Sequence, residues 1–314
     1  MKPRRIGTRG SALALWQARA VAARLAERGT PAEIVVIKTG GDRLQEAPLS
    51  EAGGKRLFVK ELEDALLAGD IDLAVHSAKD MSAVLPDGLT IAAVLPREDP
   101  RDAIVLAEGS RVVDFTSALA HIGETPTIAT SSIRRIAQLG SIIPQARFIA
   151  IRGNVDTRLR KLDTGEYEAL VLAAAGLRRL GFAARISAAI PLDLCVPAPG
   201  QGIVAIEVRE GDPDCDAIRS INDAEAFAAL SAERAVVTAL GGGCQLPLGA
   251  VAVLERDSLS VHAIVASPNG GDAVRKSIRG PIGRAAALGQ QLADELAAAG
   301  AAEILAAVRS GATS

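Results

Sequence analysis

Aromatic side chains are nearly missing from this sequence: one tryptophan, one tyrosine and five phenylalanines stand in 314 residues. That argues against the stacking platforms on which single-stranded nucleic acids are held, and it leaves the cores to aliphatic residues and alanine. Cysteine is as scarce. Cys195, Cys215 and Cys244 are odd in number and widely spaced, which fits neither a disulfide framework nor a zinc pattern. His76, His121 and His262 are equally scattered, so no ligand-spaced cluster speaks for a metal. A net charge of −2 excludes a globally basic nucleic-acid binder, although 35 lysines and arginines leave room for a local basic patch. No segment approaches the length of a membrane span. Lys2, Arg4 and Arg5 ahead of Ala12-Leu13-Ala14-Leu15 outline a signal peptide, but Trp16, Gln17 and Arg19 interrupt it before an apolar core develops. The expectation is a cytoplasmic protein with reduced thiols that meets neither nucleic acid nor membrane.

What is present is apolar surface in quantity, 49% of residues against 23% charged. A chain of this length outgrows one core, so two or three domains are expected. Strand, loop and helix alternate from the start. Arg5–Thr8 reads as a strand, and Ala12–Arg28 as a helix capped by Ser11 and stopped at Gly29. Ile34–Ile37 and Ile71–Val75 read as buried strands around a helix from Leu57 to Ala68. Leu95 to Asp102, polar and proline-bounded, reads as a hinge into a second domain that repeats the arrangement. There the expected strands are Thr127–Ala129, Arg147–Ile151 and Ala169–Ala173, with a helix capped by Thr130-Ser131-Ser132. Cys195 to Gly202 reads as a second crossing, after which Ile203–Val208 could rejoin the first sheet. A third domain follows: a helix from Ala224 to Leu240 with Ala226, Phe227, Leu230 and Val237 inward, strands at Ala250–Leu254, Leu259–Ala266 and Ala273–Ile278 with a hairpin turn at Pro268–Gly271, and two alanine-rich helices.

In open parallel sheets, ligands bind beyond the carboxyl ends of the strands. Arg9, Ser11, Lys79, Asp80, Ser132, Arg134, Arg135, Arg152, Arg158 and Arg179 all follow such ends, and Lys55 sits in a glycine loop before a helix. Arg134 and Arg135 lie in the first turn of a helix, where cations oppose the macrodipole unless an anion lies between them. The cations are either a scatter of solvated charges and salt bridges, or the walls of a cleft that grips carboxylate or phosphate. Asp80 is either an ion-pair partner or a group aimed at a cationic or N–H-bearing ligand atom. Gly241-Gly242-Gly243-Cys244-Gln245 ends a long helix. Its cysteine is either a small buried residue after a C-cap or a thiol to which something is attached.

Seven blocks, in order, carry a resemblance: Thr8-Arg9-Gly10-Ser11-Ala12-Leu13-Ala14-Leu15-Trp16-Gln17, Gly53-Gly54-Lys55-Arg56-Leu57-Phe58-Val59-Lys60-Glu61, Val75-His76-Ser77-Ala78-Lys79-Asp80, Thr130-Ser131-Ser132-Ile133-Arg134-Arg135, Arg152-Gly153-Asn154-Val155, Pro199-Gly200-Gln201-Gly202, and Gly241–Gln245. Over nearly all of its length the chain resembles the porphobilinogen deaminase (hydroxymethylbilane synthase) family. The resemblance implies an α/β fold of two periplasmic-binding-protein-like domains, 1–98 with 200–217 and 99–199, and a smaller α+β domain, 218–314. It implies a dipyrromethane cofactor in thioether linkage to Cys244, on which four porphobilinogens condense head to tail with loss of ammonia before hydroxymethylbilane is hydrolysed off. Asp80 falls on the catalytic carboxylate. Lys79, Asp80, Ser132, Arg134, Arg135 and Arg152 fall on cofactor-binding positions, and Arg9, Ser11, Lys55, Arg152, Arg158 and Arg179 on substrate-binding ones. A monomer is implied. The rival expectation is a non-catalytic two-domain anion-binding protein, which has no use for Cys244 on its glycine loop. On this reading, leucine at Arg134 or Arg152 impairs cofactor loading or elongation far more than folding.

Overall fold

Runs of Val, Ile, Leu and Ala between turn residues form thirteen strands in three sheets among the residues that the computed structural model describes, 2–38, 59–212, 215–241, 246–269 and 271–310. The strands are β1 (Arg4–Thr8), β2 (Ala32–Val36), β3 (Leu73–Ser77), β4 (Leu89–Val94), β5 (Asp102–Val105), β6 (Thr127–Ala129), β7 (Arg147–Ile149), β8 (Ala169–Ala173), β9 (Ala188–Ala189), β10 (Val204–Arg209), β11 (Leu248–Glu255), β12 (Ser258–Ala266) and β13 (Ala273–Pro281). The first sheet has the order β2-β1-β3-β10-β4 and the second β7-β6-β8-β5-β9. Each has three parallel strands, then one antiparallel strand in the fourth place: β10 in the first sheet, β5 in the second. Both fourth strands are entered directly from a crossing between the lobes. The third sheet, β11-β12-β13, is antiparallel throughout. The two α/β lobes and the smaller C-terminal domain are therefore present, and Val204–Arg209 does rejoin the first sheet.

Helix starts follow the capping chemistry. The Ser11 hydroxyl accepts from Ala14 N–H at the head of Ala12–Glu27, Ser132 from Arg135 N–H ahead of Ile133–Ile142, and Asp223 from Ala226 N–H ahead of Ala224–Ala239. In the third domain Ala229, Ala232 and Val236 of that last helix pack with β11, β12 and Leu288, Leu292 and Leu296 of the helix Ala285–Leu296. Phe227 and Val237, expected inside, are only partly buried.

Several elements differ from expectation. The strand expected over Ile71–Val75 runs Leu73–Ser77. Asp72 is held outside it by Arg5, whose backbone N–H and guanidinium both donate to that carboxylate, and Ile71 packs under Leu62 and Leu66 instead. The strand expected to Ile151 stops at Ile149. Leu89–Val94, not expected, completes the first sheet beside β10. Asp102, expected in the hinge, is the first residue of β5 and is fully buried. The helix expected from Leu57 is described from Lys60, Leu57 itself lying outside the described residues, as does Gly270 of the expected hairpin turn.

The domains are knit at one carboxylate. Glu233, on the inner side of the helix Ala224–Ala239, is 0% exposed. It accepts from both terminal nitrogens of Arg97 in the first crossing (2.6 and 3.3 Å), from Gly200 N–H in the second (2.6 Å) and from Ala252 N–H in β11 (2.7 Å). A buried carboxylate tolerates desolvation only when its oxygens are filled in this way. Glu233→Ala strands the Arg97 guanidinium and two N–H groups, and is expected to lower stability by about 3–5 kcal/mol, read as a fall in the thermal midpoint. Arg97→Ala is expected to destabilise comparably, and the double substitution less than additively.

Candidate active site at the junction of the two lobes

The expected site residues sit where the sheets end. Arg9 and Ser11 follow β1, Lys79 and Asp80 follow β3 on a single 3₁₀ turn (Ala78–Asp80), Ser132, Arg134 and Arg135 follow β6, Arg152 and Arg158 follow β7, and Arg179 closes the helix after β8. Lys55 and Cys244 lie outside the described residues. Ser11 and Ser132 spend their hydroxyl lone pairs on helix caps. No cluster of His, Cys, Asp and Glu suited to a metal occurs among the described residues.

Arg134 and Arg135 are brought together, but on the protein's own anion. Asp102 Oδ2 accepts from an Arg134 terminal nitrogen at 2.7 Å, and Oδ1 accepts from Arg135 Nε and its terminal nitrogen at 3.0 and 2.7 Å. All three side chains are buried. Burial alone would raise the Asp102 carboxyl, yet the two guanidiniums outweigh it and hold the group well below the usual carboxylate range. The anion needed beside two cations at this helix start is thus supplied from β5. Two arginines against one carboxylate leave the cluster a net charge of +1. Cys195 Sγ lies 3.5 Å from both Asp102 Oδ2 and Arg134. Burial, then the Asp102 charge, push its thiol up to about 12, so it stays protonated and unreactive at neutral pH.

The other cations are oriented differently. Arg158 Nε donates to the Gly153 carbonyl at 2.8 Å, and Arg179 to the Gly202 carbonyl at 2.7 Å. Among the described residues neither forms an ion pair. Burial, and for Arg158 also the neighbouring Arg135, lowers both below the ordinary arginine value. Tyr167 Oη donates to the Arg158 carbonyl at 2.7 Å and fixes the helix that carries it. Arg179, from the second lobe, also lies over the Trp16 ring of the first, 5.3 Å from its centroid. Lys79 Nζ donates to the side-chain oxygen of Gln201 at 3.2 Å, and the Gln201 amide nitrogen donates to Asp102 Oδ1 at 3.0 Å. One hydrogen-bonded chain therefore runs from Lys79 in the first lobe to Arg134 and Arg135 in the second. Neither Asp102 nor Gln201 was expected in the site. Gln201 stood inside the block Pro199–Gly202 without a chemistry, and Asp102 inside a charged run that resembles a linker.

The glycines of that block have a reason. Gly200 has φ +75, and a Cβ there would come within 2.9 Å of the Ala78 backbone, just before Lys79. Gly202 has φ +87, and a Cβ there would collide with the Glu98 carbonyl oxygen. The second crossing can lie against both the site turn and the first crossing only without side chains at these points.

Residues 4–217 match the family model described as porphobilinogen deaminase, dipyromethane cofactor binding domain, and residues 227–298 the one described as porphobilinogen deaminase, C-terminal domain. A curated porphobilinogen deaminase from Syntrophotalea carbinolica is 45% identical over 307 residues, covering 97% of this chain and 95% of the relative. One from Geobacter metallireducens is 45% identical over 310 residues, covering 98% and 95%. Among solved structures, the Bordetella pertussis BvgS periplasmic VFT2 domain matches at a TM-score of 0.37 and 22% identity, over 65% of this chain and 75% of that one. The ancestral cationic amino acid solute binding protein AncCDT-1 matches at 0.40 and 14%, over 70% and 87%.

The ion cluster changes one expectation. Arg134→Leu leaves Asp102 buried with half its compensation, so it is expected to lower the thermal midpoint steeply, by about 3–5 kcal/mol of stability. Arg152→Leu, at a partly exposed position, is expected to leave it nearly unchanged. Because folding depresses the Asp102 pKa, its stabilisation is present above the unfolded carboxyl value near about 4, and is lost as the pH falls from there toward the folded value. Acid unfolding of Asp102→Asn, followed by circular dichroism, is expected to be less steep over that window than wild type.

Proposed function

The chain belongs to the porphobilinogen deaminase family, and on that premise we propose that it condenses four porphobilinogens head to tail on a dipyrromethane joined by thioether to Cys244, releases ammonia at each step, and hydrolyses off hydroxymethylbilane. The enzymes of this family are transferases of porphyrin biosynthesis. The observation that carries the site reading is that Arg158 and Arg179 are oriented by carbonyl oxygens and not by carboxylates. Their charge is fixed in place yet left for a ligand. Each pyrrole ring bears acetate and propionate, so the anionic charge to be held grows with every condensation. That donor set suits a dipyrromethane and its extensions. Arginine further offers two parallel N–H bonds to a carboxylate.

When bound, the dipyrromethane would supply the terminal pyrrole carbon to which the first unit is joined, each later unit being joined to the ring added before it. The chain's own residues do the rest. Arg9, Lys55, Arg152, Arg158 and Arg179 hold the carboxylates of substrate, with the Ser11 hydroxyl beside Arg9. Lys79, Ser132, Arg134, Arg135 and Arg152 face the cofactor, Arg134 and Arg135 through the net positive field of their cluster with Asp102. Asp80 cannot serve the anionic side chains, which it would repel. Its carboxylate would accept hydrogen bonds from pyrrole N–H groups of the bound chain and stabilise positive charge developing on them. The same reading divides the chain at 1–98 with 200–217, 99–199 and 218–314, a division supported by the strand membership of the sheets. It takes the protein as a cytoplasmic monomer that binds neither nucleic acid nor membrane. A non-catalytic anion-binding protein would use the same cations but has no role for Cys244.

Two measurements test this. The intact mass of the purified protein is expected to exceed that of the polypeptide by one dipyrromethane, and Cys244→Ser is expected to lose the excess together with activity. A bare-polypeptide mass from an active preparation would overturn the attachment. Asp80→Asn is expected to fold and to hold the cofactor, its amide oxygen still accepting one N–H bond, but to lose roughly a hundredfold or more in single-turnover condensation of porphobilinogen. A rate within a few-fold of wild type would make Asp80 only an ion-pair partner of its basic neighbours.

A further inference from the structure

Gln201 is an uncharged link between charges of the two lobes, and it is 1% exposed. Every polar group it carries is used. Its amide nitrogen donates to the Pro100 carbonyl at 2.7 Å and to Asp102 Oδ1 at 3.0 Å, and its amide oxygen accepts from Lys79 Nζ at 3.2 Å. Its backbone carbonyl accepts from Arg97 Nε at 3.0 Å and its backbone N–H donates to the Ala198 carbonyl at 2.9 Å. Two acceptors on one side and an ammonium on the other determine which end of the amide is nitrogen. The flanking glycines seat this segment against the Lys79 turn and the first crossing.

The requirement is chemically narrow. The group must donate to a carboxylate on one side and accept from an ammonium on the other. It must also carry no charge, since a negative charge would oppose Asp102 and neutralise Lys79. A primary amide of this reach meets all three conditions. Lys79 is thereby aimed without being neutralised by the residue that aims it, and its position is tied to that of Arg134 and Arg135.

We propose that Gln201 is a positioning residue for the reaction: it holds the Lys79 ammonium in fixed register with the Arg134–Arg135–Asp102 cluster, so that carboxylates of the bound pyrrole chain meet charges of both lobes at a set spacing. The proposal rests on the reading of Lys79 as a cofactor contact. It is tested by a double-mutant cycle on the full chain with Gln201→Met, Lys79→Met and the pair. The readouts are the rate at which cofactor-free protein gains the dipyrromethane mass when given porphobilinogen, followed by intact mass, and the steady-state turnover of the loaded enzyme. Gln201→Met is expected to slow loading roughly ten- to a hundredfold, the value of a hydrogen bond to a charged group, and to add less than about twofold when Lys79 is already methionine. Gln201→Glu is expected to load more slowly than Gln201→Met, because it neutralises the lysine. Equal losses in both Lys79 backgrounds, or a Gln201→Glu protein that loads like wild type, would overturn the proposal. Gln201→Asn, which keeps the amide one methylene shorter, replaces methionine in the cycle if that variant does not fold. A wild-type chain that gains no mass and turns over no porphobilinogen would overturn the underlying reading itself. An active wild type with an additive cycle would overturn this inference alone.

Discussion

A single carboxylate, Asp102, has to be kept ionised where no water reaches it. Desolvating that charge is tolerable only because Arg134 and Arg135 are folded onto it, with Gln201 taking a remaining lone pair. The demand propagates outward. The helix Ile133–Ile142 must start where its first turn can reach β5, the second crossing must pass close enough for Gln201 to touch Asp102, and that crossing must be bare at Gly200 and Gly202. Glu233 imposes a second demand of the same kind on Arg97, Gly200 and Ala252. The two buried acids share the second crossing as a common partner, so hydrogen-bonded charge joins the domains alongside the apolar contacts of Ala226 and Leu230 with Ala78 and Met81, and of Val251 and Ile264 with Ala137 and Val196.

The lobes are built alike, and the likeness explains where the site falls. In each sheet the fourth strand runs against its neighbours and is reached from the opposite lobe. The crossings are therefore forced to the ends of the sheets where the parallel strands stop. Those ends carry Lys79 and Asp80 on one side, and Arg134, Arg135, Arg158 and Arg179 on the other. Chain connectivity brings together groups that local structure only leaves exposed.

How much of this was legible in the sequence follows from the range of the forces involved. Thr127–Ala129 and Ala169–Ala173 are found residue for residue, because a short apolar run between turn signals is a local property. The caps at Ser11 and Ser132 are local as well. The end of β3 was not legible, since it is set by Arg5 reaching Asp72 across 67 residues. Asp102 resembles part of a charged hinge for the same reason: the arginine that buries it lies 32 residues away, and nothing in Pro100-Arg101-Asp102 announces it. The cations of the site were visible as a set through their positions after strand ends. That Arg134 and Arg135 are held by Asp102, Arg179 by the Gly202 carbonyl and Lys79 by the Gln201 amide depends on tertiary contacts that no spacing encodes.

Trp16 is the only tryptophan in the chain, and it carries the Arg179 guanidinium of the other lobe over its ring. The molecule thus has one indole fluorophore, stationed on the seam between its lobes and facing a charge that belongs to the far side. Any excursion that draws the lobes apart, or any ligand carboxylate that pulls Arg179 away from the indole, alters the field at that ring. The emission of the unlabelled protein is therefore an optical gauge of how far the seam stands open, free of background from any other indole.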